Sequence, residues 1–163
     1  MTLNKDHIGA LWDTITPRLY GYLVNTLHDK NLAEDILQTT WLKAIEALPK
    51  FDNRNDTSFS SWLFAIARNE CKQHWRKPKR EIPFDPVIHD KEEINSKEED
   101  KIFIDQMLAQ LSLSDQELIN LHYIAGLPLN NIAKILKTNP VTIRVRMHRA
   151  LGAAKLILKN QQI

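Results

Sequence analysis

The sequence predicts an all-α protein built as two small helical domains joined by a flexible acidic linker, the second domain containing a helix-turn-helix. Three observations lead to that class. Only four glycines occur in 163 residues, and the frequent Leu, Ile, Ala, Lys and Glu all suit helices. Apolar residues recur three or four apart over most of the chain. Between Lys77 and Asp100 that periodicity nearly vanishes, and Pro78, Pro83 and Pro86 precede a run rich in Asp and Glu. The division expected is a domain over 1–77, a linker over 78–100 and a second domain over 101–163. Neither half repeats the other.

Ile8, Leu11, Ile15, Leu19, Tyr22, Leu23 and Leu27 lie on one helical face, with Pro17 expected to bend that helix or delay its start. Asn31, three residues before Glu34, reads as a capping box opening a second helix. Its face is Leu32, Ile36, Leu37, Ala44, Ile45 and Leu48, and Pro49 ends it. Asp35 falls in the expected first turn, where the helix dipole favours a carboxylate. The polar run from Phe51 to Ser58 reads as a loop. A third helix begins near Ser58 and packs through Phe59, Trp62, Leu63, Ile66, Ala67 and Cys71. From Arg68 onward it turns basic, with Trp75 and His74 among the cations.

In the second domain, Ile102, Ile104, Met107, Leu108 and Leu111 form a helix expected to end near Ser112. Ser114-Asp-Gln-Glu117 reads as a capping box, followed by Leu118, Leu121, His122 and Ile124. Gly126 can supply the positive φ that stops this helix. Leu129, Ile132, Ala133 and Leu136 then give a short one-faced helix. Asn139 is placed to cap the next one, and Pro140 suits its first turn. Ile143, Met147, Ala150 and Leu151 make the apolar stripe of that last helix, while Thr142, Arg144, Arg146 and Arg149 surround it with polar and cationic groups. Two helices across a tight turn, the second cationic, have the layout of a DNA-binding helix-turn-helix. An ordinary helical hairpin with a solvated face is the bland alternative.

The net charge of +2 hides a strong segregation. Residues 66–80 hold six Lys/Arg against one Glu, residues 81–100 hold eight Asp/Glu against two Lys, and after Glu117 there are seven Lys/Arg and no acid. Basic modules around an acidic connector point to an anionic partner. Nucleic acid fits the basic, aromatic stretch 68–76. Cys71, the single cysteine, excludes an intrachain disulfide. The N-terminus lacks the apolar run of a secretory signal, and no segment approaches the length of a membrane span, so a cytoplasmic protein without membrane insertion is expected. No nucleophile–base pair, glycine-rich phosphate loop or His-x-x-x-His pair is present. Catalytic residues, metal and cofactor are therefore not expected; Cys71 and His74 alone make a poor zinc site.

Several stretches together resemble the bacterial RNA polymerase sigma factors of the extracytoplasmic-function group. In the first domain these are Ala33-Glu-Asp-Ile-Leu-Gln38, the loop at Phe51, and Ser61-Trp-Leu-Phe-Ala-Ile-Ala-Arg-Asn69 leading into His74-Trp-Arg76. In the second they are Leu111 to Ser114, Tyr123-Ile-Ala-Gly126, Ile132-Ala133, and Thr142-Ile143 followed by Arg146-Met-His-Arg-Ala150. Two signatures in order across a variable linker make the resemblance specific.

It implies a sigma factor that binds core polymerase and directs initiation by recognising −35 and −10 elements and assisting promoter opening. Docking on the clamp helices of the largest polymerase subunit would fall to Glu34, Asp35 and Gln38, with Trp41 beside them. The −10 element would meet Asn53, Arg54 and Phe59 of the 52–60 loop and Arg68, Asn69, Lys72, His74, Trp75, Arg76 and Lys79. Trapping an unstacked base there costs a few kcal/mol, offset by pocket contacts and phosphate neutralisation. The −35 major groove would meet Asn139, Thr142, Arg144, Arg146 and Arg149. The resemblance also admits an anti-sigma factor as a partner, and no further domain is expected after Leu158.

Pro128, Asn130, Asn131, Val141 and Val145 depart from the family pattern and bear on promoter preference, with a thymine methyl as one candidate contact for the valines. A conventional helix-turn-helix regulator is the alternative; it leaves the 68–76 segment and the acidic linker without a role. A purely protein-binding module is opposed by the lack of acids after Glu117.

Overall fold

The computed structural model describes residues 5–52, 58–76 and 96–161, and every regular element among them is helical. Three α-helices come from the first part: α1 (Lys5–Leu27), α2 (Lys30–Ala47), which runs into a 3-10 turn over Leu48–Lys50, and α3 (Phe59–Arg76). Four come from the second: α4 (Ser96–Leu108), α5 (Leu113–Ile119), α6 (Leu129–Ile135) and α7 (Pro140–Gln161). The segment expected as linker lies outside the described residues up to 95. Its last five positions, 96–100, belong to α4, so that helix opens before Ile102.

Local signals place most boundaries, though not always through the expected residue. α1 carries Pro17 inside it and stops at His28, whose φ of 54° turns the chain into the left-handed region. The cap of α2 is Asp29, which accepts from the Leu32 amide, and not Asn31. This earlier start moves Glu34 and Asp35 beyond the first turn, where neither serves as a cap. Likewise Ser112, accepting from the Asp115 amide, caps α5 in place of Ser114. That leaves Glu117 free for a contact described below.

The residues after α5 widen into one π-helical turn over Asn120–Ile124, which shifts the following side chains around the axis. Gly126 ends the turn at φ 72°, as expected. The positive φ favours glycine, and a Cβ there would sit 2.9 Å from Arg18 Nη1, so that guanidinium would also have to shift.

α2 packs against α1 and α3, and α7 packs against α4, α5 and α6. The two parts are not separate bodies, because α1 also packs on the π turn and α3 on α6. Leu19, Tyr22, Leu23, Leu63 and Phe64 of the first part share one apolar cluster with Leu118, Leu121, Ile132 and Ile143 of the second. Gly21 allows the approach: a Cβ there would lie 3.3 Å from Ile124 Cγ2. Burial of apolar surface across this junction favours the closed arrangement at roughly 25 cal/mol per Å².

The helical periodicity overestimates the core in two places. Ile102 and Ile104 of α4 are exposed. The helix ends at Leu108, short of the expected Ser112, so Met107 is its buried residue and Leu111 is buried in the turn beyond it. Ile45 of α2 is exposed as well, beside the exposed Leu42.

Candidate nucleic-acid interface

Three surfaces carry the candidate residues, and the fold treats each differently. On α2, Glu34, Asp35 and Gln38 are exposed. One turn further the same side continues through the apolar Leu42 and Ile45. Trp41, expected as their neighbour, is a core residue with 2% exposure. Its Nε1 donates to Thr16 Oγ1 at 3.1 Å, and its ring lies 4.6 Å from that of Trp12. It therefore supports the acidic face from beneath and offers no surface of its own. Ile45 was missed because a periodic apolar residue reads as core until its helix neighbours are known, and Leu42 because it lies off that apolar face.

At the start of α3, Phe59 sits in a half-buried aromatic cluster with Phe51, Trp41 and Trp62, ring centroids 5.5 to 6.1 Å away. The Ser58 hydroxyl accepts from the Ser61 amide and stabilises this first turn. Asn53 and Arg54, expected to join Phe59, lie outside the described residues, as does Lys79. Further along, Asn69, His74, Trp75 and Arg76 are exposed and Lys72 is partly so. Trp75, at 59% exposure, is an outward aromatic and not the end of the core. Glu70, the only acid of α3, is taken up by Lys43 of α2 in an ion pair. What this helix presents is therefore cationic and aromatic.

Arg68 is the exception on that surface. Its Nε donates to Glu117 Oε1 and its Nη2 approaches Oε2 at 3.4 Å, with both side chains largely sheltered. Beneath this pair, burial pushes the Cys71 thiol up to about 12, with Glu117 and Glu70 adding to the shift. Burial also raises the Tyr22 phenol far above its usual range. Both groups stay neutral, and Cys71 is a packed thiol in keeping with its sequence reading.

The helix-turn-helix is formed by α6 and α7. Lys137, at φ 53°, turns the chain between them, and Asn139 Oδ1 accepts from the Val141 amide at 2.8 Å. Pro128 provides no side-chain cap to α6, and its carbonyl accepts from the Asn131 and Ile132 amides. On α7, Ile143, Met147, Ala150 and Ala154 are buried. Asn139, Thr142, Arg144 and Arg149 face outward together with Val141, Val145 and His148. Arg146 differs from the other cations: it is half-buried and donates to Ser114 Oγ of α5.

A largely apolar cleft of about 730 Å³ with charged groups at its sides runs along the junction of the two parts. Arg68, Lys72 and Trp75 line one side and Asp105, Leu113 and Glu117 the other. Among the described residues, no helix is long and apolar enough to cross a membrane.

Comparison with known proteins identifies the two helical parts. Residues 11–81 match the family model for sigma-70 region 2, and residues 104–153 match that for sigma-70 region 4. The chain belongs to the sigma-70 family of RNA polymerase sigma factors. Members of this family are non-catalytic subunits that bind RNA polymerase and direct it to promoters, and this sigma factor does the same. It is 32% identical to a probable RNA polymerase sigma-C factor of Mycobacterium bovis, across 78% of this chain and 70% of that one. It is 27% identical to the extracytoplasmic-function sigma factor SigX of Bacillus subtilis, covering 94% and 82% of the two chains. To BldN of Streptomyces coelicolor it is 25% identical over 95% of its own length, spanning 61% of that protein.

The sigma factor's fold is shared with CnrH, solved with the cytosolic domain of CnrY: TM-score 0.73, 21% identity, covering 96% of this chain and 90% of that one. It is shared also with RpoE, solved with the anti-sigma factor NepR from Bartonella quintana: TM-score 0.70, 22% identity, covering 96% and 98%.

Proposed function

We propose that this sigma factor divides promoter recognition between its two helical parts, with α2 docking on core polymerase, α3 engaging the −10 element and α7 entering the −35 major groove. The observation that carries the reading is the separation of charge by helix. Exposed carboxylates stand on α2, exposed cations and Trp75 on α3, and exposed cations without any acid on α7. DNA phosphates attract the last two surfaces and repel the first.

In this reading Glu34, Asp35 and Gln38 meet a basic helical surface of the polymerase, with Leu42 and Ile45 adding apolar contact. Asn69, Lys72, His74, Trp75 and Arg76 hold single-stranded −10 DNA, Trp75 offering a face on which a base can stack. Phe59, with Asn53, Arg54 and Lys79, completes that surface. Thr142 reaches base edges, Arg144 and Arg149 hold phosphate, and the capped start of α7 at Asn139 lies against the backbone. Arg146 takes part through its hold on α5. An anti-sigma factor is a further partner class, and the mixed-charge cleft at the junction suits a segment carrying both apolar and charged side chains.

The test is transcription from a promoter library by purified bacterial core polymerase, with and without this protein. New start sites sharing paired −35 and −10 elements are expected. Sequence-selective duplex binding without initiation would replace this reading with that of a conventional regulator.

A further inference from the structure

We infer that Val141 and Val145 read thymine methyl groups in the major groove, giving α7 an apolar component of −35 specificity beside its cations. This rests on the assignment of α7 to the −35 element. The two valines are four residues apart, so they stand one above the other on a single helix face. They are 58% and 44% exposed, and neither joins the apolar cluster that Ile143, Met147, Ala150 and Ala154 enter from the opposite side. Thr142, Arg144 and His148 flank them, all outward. The fold gains little from the pair, since valine is a poorer helix former than alanine or lysine.

Isolated exposed apolar residues are ordinary. A stacked pair on the cationic, N-terminal face of a recognition helix is a narrower circumstance. The edges of the base pairs in the major groove offer hydrogen-bonding groups throughout and one apolar feature, the C5 methyl of thymine. An isopropyl group facing that methyl removes both from water, whereas facing any other base it desolvates a polar edge without a partner. β-Branching also confines each valine to one χ1 rotamer in a helix, so little side-chain freedom is lost on contact. The outcome is a preference for thymine that phosphate contacts by Arg144 or Arg149 do not create.

The experiment uses the holoenzyme formed with bacterial core polymerase. A duplex is first selected from a library randomised across the −35 element, and each thymine in it is then replaced singly by 2′-deoxyuridine, which deletes only the methyl. With the unaltered protein, one or two of these replacements should weaken binding about fourfold each, the effect of one methyl-sized group returned to water. V141A and V145A should each abolish the loss at its own thymine while leaving the other intact. Thermal melts of both variants establish that they fold.

Deoxyuridine losses of equal size in the unaltered protein and both variants would overturn the proposal, as would a selected element in which no thymine methyl matters. Arg144→Ala separates the two levels of failure. Weakened binding by that variant keeps α7 on the −35 element even if the valines are silent, whereas intact binding by all three variants removes α7 from the DNA.

Discussion

Arg68 of α3 and Glu117 of α5, 49 residues apart, close an ion pair across the junction between the region 2 and region 4 parts. Beside it, Asn120 Nδ2 donates to the Tyr22 carbonyl at 3.1 Å and to Thr26 Oγ1 at 2.9 Å. A cation assigned to promoter DNA is thus held by a carboxylate of the other half, while the exposed face of α7 remains open. In this arrangement the cations of α3 and of α7 are unequally available.

Glu117→Gln should therefore strengthen binding of single-stranded −10 DNA by the isolated protein. A partly exposed pair is worth on the order of 1 kcal/mol, or about fivefold in affinity. Fluorescence anisotropy with a labelled oligonucleotide measures it. Unchanged affinity would show that Arg68 does not contact this strand or that DNA releases it without cost.

The acidic face of α2 and the tryptophan beneath it should respond oppositely. Glu34→Lys with Asp35→Lys should weaken association with core polymerase more than about tenfold and leave the melting temperature nearly unchanged, since both side chains are exposed. Trp41→Ala should instead cost about 3–5 kcal/mol of stability, as expected when a large buried aromatic is removed. Pull-down with core polymerase and a thermal melt on each variant separate docking from folding.

Two arginines of one helix should also part company. Arg144→Ala should weaken duplex −35 binding and lower the slope of log K against log salt by about 1, the signature of one lost phosphate contact. Arg146→Ala removes a side chain held by Ser114 and should change that slope by less. Salt titrations of both variants decide the matter, and equal slopes would assign Arg146 to DNA.

The buried thiol predicts a dependence on alkaline pH. Cys71 rises from an ordinary value of 9.0 to about 12 on folding, so between those values the unfolded chain has lost a proton that the folded chain keeps. Stability attributable to Cys71 is complete below about pH 9 and is lost as pH rises through the folded value. Urea unfolding from pH 8 to 10 should show a declining midpoint, and Cys71→Ala should flatten that decline. An unchanged slope in the variant would assign the decline to other groups.

Much was legible in the sequence because it is written locally. Apolar spacing marked the helices, Asn139 and Pro140 marked the start of α7, and Gly126 marked the stop before the helix-turn-helix. Charge segregation and the two sequence signatures named the partner class and the family. Caps were less secure where two candidates lay close together, as with Asp29 and Asn31 or Ser112 and Ser114, since either can begin a helix within one turn of the other.

What the tertiary structure alone decided concerns pairs distant in sequence. Periodicity assigned Ile45, Ile102 and Ile104 to the core, but no neighbouring helix among the described residues covers them; it could not show that Trp41 is enclosed by Thr16, Trp12 and Phe59. Charge counting made Arg68 and Arg146 equivalent to the other cations, whereas Glu117 and Ser114 claim them. The physical reason is one of range. A helix is fixed by hydrogen bonds and side chains within about four residues, while burial and ion pairing depend on which surfaces meet after the chain has closed on itself.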